Sequence, residues 1–319
     1  MKKLLAIGEA LIDFIPQETG HLVKDVEGFS GKVGGGPVNV CGAYTVLGGQ
    51  SEMITQLGDD PFGDKIIDEL TKYSIGTTYI PRTKQANTCL AFVSLMANGE
   101  RDFSFYRNPS SDTLLDQEQI KSEWFKDAFA LHFSTVCLGE YPMKYAHKRA
   151  ISYAEDAGLI ISFDPNLRFP LWPDLKALKE TTLEFLPYAH IVKISDEELE
   201  FITGVKTIEE AKDQLFVGNV KLVIFTKGPD GAECYTKKET ASTPGIKVKA
   251  IDTTGAGDAF IGSFLYQLSK DQMTKDSLDA ISAKDMERYL VFSNQYCAHS
   301  VQGQGGVPSY ATPDQITSK

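Results

Sequence analysis

No apolar run in this sequence is long enough to cross a bilayer as a helix, so a helical membrane protein is not expected. Basic residues are in deficit: 32 Lys and Arg against 43 Asp and Glu leave a net charge of −11. A nucleic-acid surface needs clustered cations to neutralise phosphates, so that class of partner is not expected either. The five cysteines, Cys41, Cys89, Cys137, Cys234 and Cys297, stand alone, with no CxxC pair and no Cys/His spacing. Neither a structural zinc nor a disulfide frame is suggested, and reduced thiols in a cytosol are the simple reading. Residues 1–8 hold two lysines and an apolar stretch too short for a signal-peptide core; they read as a first strand, and the chain as cytoplasmic. Also missing are GxxxxGK[ST] and a strict GxGxxG with a ribose-binding acid behind it, so neither a P-loop kinase nor a dinucleotide enzyme is expected.

The 319 residues, 42% hydrophobic and 24% charged, leave room for one large soluble domain or a domain with an appendage. Short apolar runs at 4–7, 131–134, 159–163, 190–194 and 222–225 suit strands buried on both faces. Amphipathic stretches at 38–47, 64–73, 143–157, 175–186 and 196–203 alternate with them, and a late helix is expected over 285–299. This β-α-β rhythm predicts a doubly wound α/β sheet covered by helices. Residues 10–32 and 88–107 break the rhythm with extended patterns and predict a small separate sheet, a lid over the carboxyl edge of the main one. Residues 308–319 read as a partly frayed end.

The richest stretch is Asp252-Thr253-Thr254-Gly255-Ala256-Gly257-Asp258. Behind it Phe260, Ile261, Phe264, Leu265 and Leu268 fall on one helical stripe. A helix N-terminus attracts anions, and a carboxylate on its first turn can take a proton from a hydroxyl. Together they suit phosphoryl transfer onto an alcohol. By itself the stretch is equally a capped helix behind a tight turn.

Seven segments, IGEALIDF, GGGPVNV, LGDDPFGD, FDPNLR, KISDEELE, TKGPDGA and DTTGAGDAF, occur in an order that resembles the ribokinase-like (PfkB) carbohydrate kinases over nearly the whole chain, and among them most resembles bacterial fructokinases. The resemblance implies a single ribokinase-like domain over residues 1–319, with its β lid inserted at roughly 10–32 and 88–107. It implies ATP-dependent phosphorylation of the primary hydroxyl of D-fructose, giving fructose 6-phosphate. A kinase for 2-keto-3-deoxygluconate, ribose or a nucleoside is the alternative within the family, and a non-catalytic sugar-binding regulator the alternative outside it. Asp258 is then the general base, and Gly255, Ala256 and Gly257 the anion hole. Arg168 meets the phosphates or the sugar terminus, with Asn166 orienting it. Asp13, Gly35, Gly36 and Asn39 bind the sugar. Tyr106 and Arg107 correspond to a pair that meets a substrate carboxylate in the 2-keto-3-deoxygluconate kinases, and are equally a solvated lid edge. Lys193, Thr226, Lys227, Gly228 and Asn294 fall to the nucleotide. Glu198 is expected to organise Mg²⁺ through water, although Ser195 stands where the family has Asn. Asp252 and Thr254 correspond to carbonyl donors for K⁺ in some members. Unpaired lid edges lead to the expectation of a homodimer joined through the lids.

Overall fold

The computed structural model describes residues 2–18, 20–95 and 101–317. The chain opens with β1 (Lys3–Ile7), whose Leu4, Leu5, Ala6 and Ile7 are all fully buried. Continuous burial of this kind marks a strand covered on both faces. Then come β2 (Leu11–Pro16), β3 (Phe29–Gly34) and α1 (Gly36–Val46). After β4 (Ser51–Ile54) and the two-residue β5 (Leu57–Gly58), Asp60 caps α2 (Pro61–Lys72) by accepting from the N–H groups of Phe62 and Gly63 at 3.0 and 2.9 Å. Next are β6 (Ile75–Tyr79), β7 (Arg82–Thr83), β8 (Leu90–Leu95) and β9 (Arg101–Tyr106).

The second half is more regular. It runs β10 (Ala128–Ser134), α3 (Pro142–Asp156), β11 (Ile160–Asp164), α4 (Leu175–Phe185), β12 (Ile191–Ser195), α5 (Asp196–Thr203), α6 (Ile208–Leu215) and β13 (Leu222–Thr226). The hairpin β14 (Ala232–Tyr235) and β15 (Thr240–Thr243) follows, then α7 (Ala256–Lys270), α8 (Ala283–Ser300) and α9 (Pro313–Thr317).

The large sheet has the order β15-β14-β13-β12-β11-β10-β1-β4-β6, parallel from β13 to β6 and antiparallel at the β14–β15 end. Its side chains alternate between two cores. Leu5, Leu131, Phe133, Val223 and Phe225 pack on one face with α3 to α6, while Leu4, Ala130, Leu222 and Ile224 pack on the other with α7 and α8. Strand order reverses between β1 and β10, which opens a crevice at the carboxyl ends of the strands. A second sheet, β3-β2-β8-β9, hangs beside that crevice, joined to β1 through residues 8–10. Its strands come from the two stretches that lacked helical period; residues 96–100 of the second stretch lie outside the described residues.

Three features depart from the sequence reading. Strands β4 and β6 extend the large sheet beyond β1, and neither has a long apolar run. Helix α6 and the β14–β15 hairpin were likewise not anticipated. The segment read as a frayed end from 308 onward is instead docked: Val307, Tyr310 and Ala311 are buried in the core beneath α1 and α8, and α9 follows. Small and aromatic residues there fill a gap that polar neighbours conceal in the sequence. Residues 318 and 319 lie outside the described residues.

Candidate active site

Helix α7 starts from a turn that only glycine adopts without strain. Gly255, its N-cap, has φ +73°, and a Cβ there would stand 2.9 Å from the Tyr310 hydroxyl and 3.2 Å from Asn39 Nδ2. Asp258, third residue of the helix, is 6% exposed. The N–H groups of Gly257 and Asp258 lie in the first turn, where no intrahelical acceptor exists for them. Burial raises the Asp258 carboxyl above the ordinary aspartate range; the Asn39 hydrogen bond and the charges of Arg168 and Lys193 oppose it.

Two amides hold this carboxylate. Asn39 Nδ2 donates to Oδ2 at 2.9 Å, and Asn166 Nδ2 reaches Oδ1 at 3.4 Å. Asn39 is no helix cap: Gly35 occupies that place with φ +121°, and Asn39 sits within α1, facing α7. A Cβ on Gly35 would stand 2.5 Å from the Glu9 carbonyl oxygen, and one on Gly36 would stand 2.7 Å from Asn166 Nδ2. These glycines therefore let α1 close onto the crevice. Glu9, which the sequence reading passed over, accepts the Gly36 N–H at 2.8 Å and is 3% exposed. Burial pushes its carboxyl up to about 7 against the Arg107 charge. The signal available was an acidic residue directly after a fully buried strand.

Asp13, half-buried on β2, has its carboxyl pushed up to about 6 by burial, with the Arg168 charge opposing. Arg168 follows β11 on an exposed loop, with 3.4 Å contacts to the carbonyls of Asn166 and Leu167, and its charge acts on both Asp13 and Asp258. Lys193 lies buried on β12 with its ammonium 3.0 Å from Asp164, and a Cβ on Gly257 would stand 3.1 Å from it. Burial disfavours its charge, but Asp164, Glu198 and Asp258 outweigh that and hold it protonated, directly beneath the first turn of α7. Asp13, Gly35, Gly36, Asn39, Asn166, Arg168, Lys193 and Gly255 to Asp258 thus converge on one crevice.

The remaining candidates are engaged in other ways. The Arg107 side chain is 8% exposed; it binds Asp112 Oδ2 twice, at 2.8 and 3.1 Å, and the Val136 carbonyl at 2.9 Å. It is therefore no solvated lid edge, and its guanidinium is committed. Tyr106 is 65% exposed with its ring edge-on to Phe92. Glu198 caps α5 reciprocally with Ser195 and accepts the N–H groups of Leu167 and Ser195 at 3.0 and 2.8 Å. Ser195 thereby keeps a capping task where Asn was expected. Thr226 ends β13, Lys227 pairs with Glu233 of β14, and Gly228 turns the chain with φ +52°. Asn294 on α8 donates to the Pro244 carbonyl at 3.2 Å. The Asp252 carboxylate accepts the N–H groups of Thr254 and Gly305, both at 2.9 Å, which folds the loop before α7. Among the described residues no three His, Cys, Asp or Glu side chains form a preformed metal cluster.

A carboxylate raised by burial, a helix N-terminus and an ammonium below it are the elements needed to deprotonate a hydroxyl and receive a phosphoryl group. Known proteins resemble this chain over nearly its whole length. A probable fructokinase-5 of Arabidopsis thaliana is 39% identical over 97% of this chain and 94% of its own length. The crystal structure of a fructokinase with bound ATP from Xylella fastidiosa superposes with TM-score 0.92 at 31% identity, covering 99% and 97% of the two chains. A fructokinase of Vibrio cholerae O395, in a form with fructose, ADP and calcium, gives TM-score 0.87 at 30% identity, covering 99% and 98%. Residues 1–312 match the description of the pfkB family carbohydrate kinases, and with the fold and the crevice in agreement the chain belongs to that family.

Proposed function

We propose that this protein transfers the γ-phosphoryl group of ATP to the primary hydroxyl of D-fructose. The observation that carries this reading is Asp258: buried, on the first turn of α7, and held by Asn39 at 2.9 Å. Its carboxylate takes the hydroxyl proton as the oxygen attacks phosphorus, and the bond from phosphorus to the ADP oxygen breaks. The N–H groups of Gly257 and Asp258 and the Lys193 ammonium receive the charge on the transferring group, fixed in place before reaction. Asp13, Asn39 and the backbone at Gly35 and Gly36 hold the sugar, and Arg168 steadies the phosphates from the far side. Thr226, Gly228 and Asn294 border the nucleotide, while Lys227 shapes its turn by pairing with Glu233.

Fructose is favoured over an acidic sugar because the Arg107 fork is already committed to Asp112 and offers no free site for a carboxylate. The fructokinase relatives support the same choice. A degenerate regulator would have no use for both a buried base and an anion site.

Mg²⁺ fits Glu198, whose two oxygens each accept one backbone N–H and keep lone pairs for a metal-bound water. When bound, it would neutralise charge on the ATP phosphates. K⁺ would sit against the carbonyls of Asp252 and Thr254, since the Asp252 carboxylate is occupied. We read the chain as one domain whose small sheet lids the sugar and pairs with a second copy, working in the cytosol.

The test is ADP release with Mg·ATP against fructose, ribose, 2-keto-3-deoxygluconate, glucose and adenosine, repeated with chelator and with K⁺ replaced by choline. Fructose should be turned over best, and Asp258→Asn should lose at least about 10²-fold in kcat while still binding sugar. Near-wild-type turnover by that variant would sink the base, and preference for the acidic sugar would sink fructose.

A further inference from the structure

The docked C-terminal segment meets the turn into α7 at Tyr310. Tyr310 is 6% exposed and packs against Tyr296, ring centroids 5.7 Å apart. A buried phenol has to find an acceptor, and this one donates to the Gly255 carbonyl at 3.1 Å. The same carbonyl accepts the Ala259 N–H at 2.7 Å, the first bond of α7. Glycine has no side chain to hold its backbone angles, so the plane of the peptide after Gly255 is set by what its oxygen meets. Two donors on that oxygen fix the plane, and with it the direction of the N–H groups that follow. The segment reinforces the turn twice more: Gly305 N–H donates to Asp252, and Gly306 lies against the Asn39 carboxamide, where a Cβ would stand 2.2 Å from Oδ1.

We propose that Tyr310 is a positioning residue for phosphoryl transfer, its hydroxyl holding the Gly255 carbonyl so that the first turn of α7 faces the transferring group. It acts through the Gly255 carbonyl. The inference rests on the transfer chemistry proposed above, and its effect belongs to the transition state, when charge on the phosphoryl oxygens is greatest. Loss of the hydroxyl lowers kcat and spares sugar binding.

Tyr310→Phe removes the hydroxyl and keeps the packed ring. We expect kcat to fall about 5–10-fold, the worth of one neutral hydrogen bond, with the KM for fructose changed by less than about twofold. A second readout needs no turnover: ADP with aluminium fluoride mimics the transferring group, and the extra thermal protection it gives over ADP alone should be largely lost in the variant. A kcat within about twofold of wild type, with only a lower melting point, would assign the hydroxyl to stability and overturn the proposal. So would a loss that falls wholly on the KM for sugar. If wild type turns over none of the sugars, the function proposed above fails, and the protection assay alone decides: retained in Tyr310→Phe it overturns the clamp, lost it supports it.

Discussion

Glu9 and Asp258 carry the same chemical group under different constraints. Asp258 is raised by burial yet keeps an amide donor and two nearby cations, which suits a base that must be ionised to act. Activity should therefore fall with decreasing pH at a value above the ordinary aspartate pKa of about 3.9. Glu9 has no such task, and its raised pKa acts on stability. In the unfolded chain it loses its proton near 4.5, in the fold near 7. The stabilisation from the neutral form is present below 4.5 and is lost as pH rises to about 7. Glutamine keeps an acceptor for the Gly36 N–H without the charge. Glu9→Gln should thus gain roughly 1–3 kcal/mol over wild type at pH 8 and almost nothing at pH 4. Parallel thermal melts across that range check this, and a pH-independent difference would refute it.

At the scale of elements, the turn into α7 is where local geometry and chemistry meet. Gly255→Ala forces a side chain onto φ +73° and against the Tyr310 hydroxyl. It should cost about 1–2 kcal/mol in urea unfolding and about tenfold or more in kcat. A variant with full activity would show that the turn is not fixed. This element was legible beforehand because its glycines and the stripe from Phe260 to Leu268 are written contiguously. The central strands were legible for the same reason, since burial on both faces demands an uninterrupted apolar run. Strand β4, Ser51-Glu52-Met53-Ile54, has no such run, because Glu52 turns out to cap the Thr78 N–H across the edge strand β6. The commitment of Arg107 was not legible: Asp112 is five residues away, but the cover of Val136 and Cys137 that buries the pair is set by tertiary packing, which leaves no local pattern.

Over the whole molecule, the small sheet leaves β3 and β9 as edges, and Ile15 and Tyr106 on it are exposed. Paired in solution, two such sheets would cover those edges. Small-angle scattering should then report the mass of two chains, unchanged on dilution; a monomer mass at every concentration would count against pairing. The site also draws on distant parts of the chain. The hydrogen bond from Asn39 to Asp258 joins residues 219 positions apart. At synthesis rates of roughly 5–20 residues per second, Asn39 leaves the ribosome on the order of 10–40 s before the carboxylate it holds. Throughout that interval the glycine-rich start of α1 has nothing to orient, so the nascent chain can be partly folded and still chemically silent. Competence comes late, once α7 has docked against α1 and the segment carrying Tyr310 has closed on its first turn.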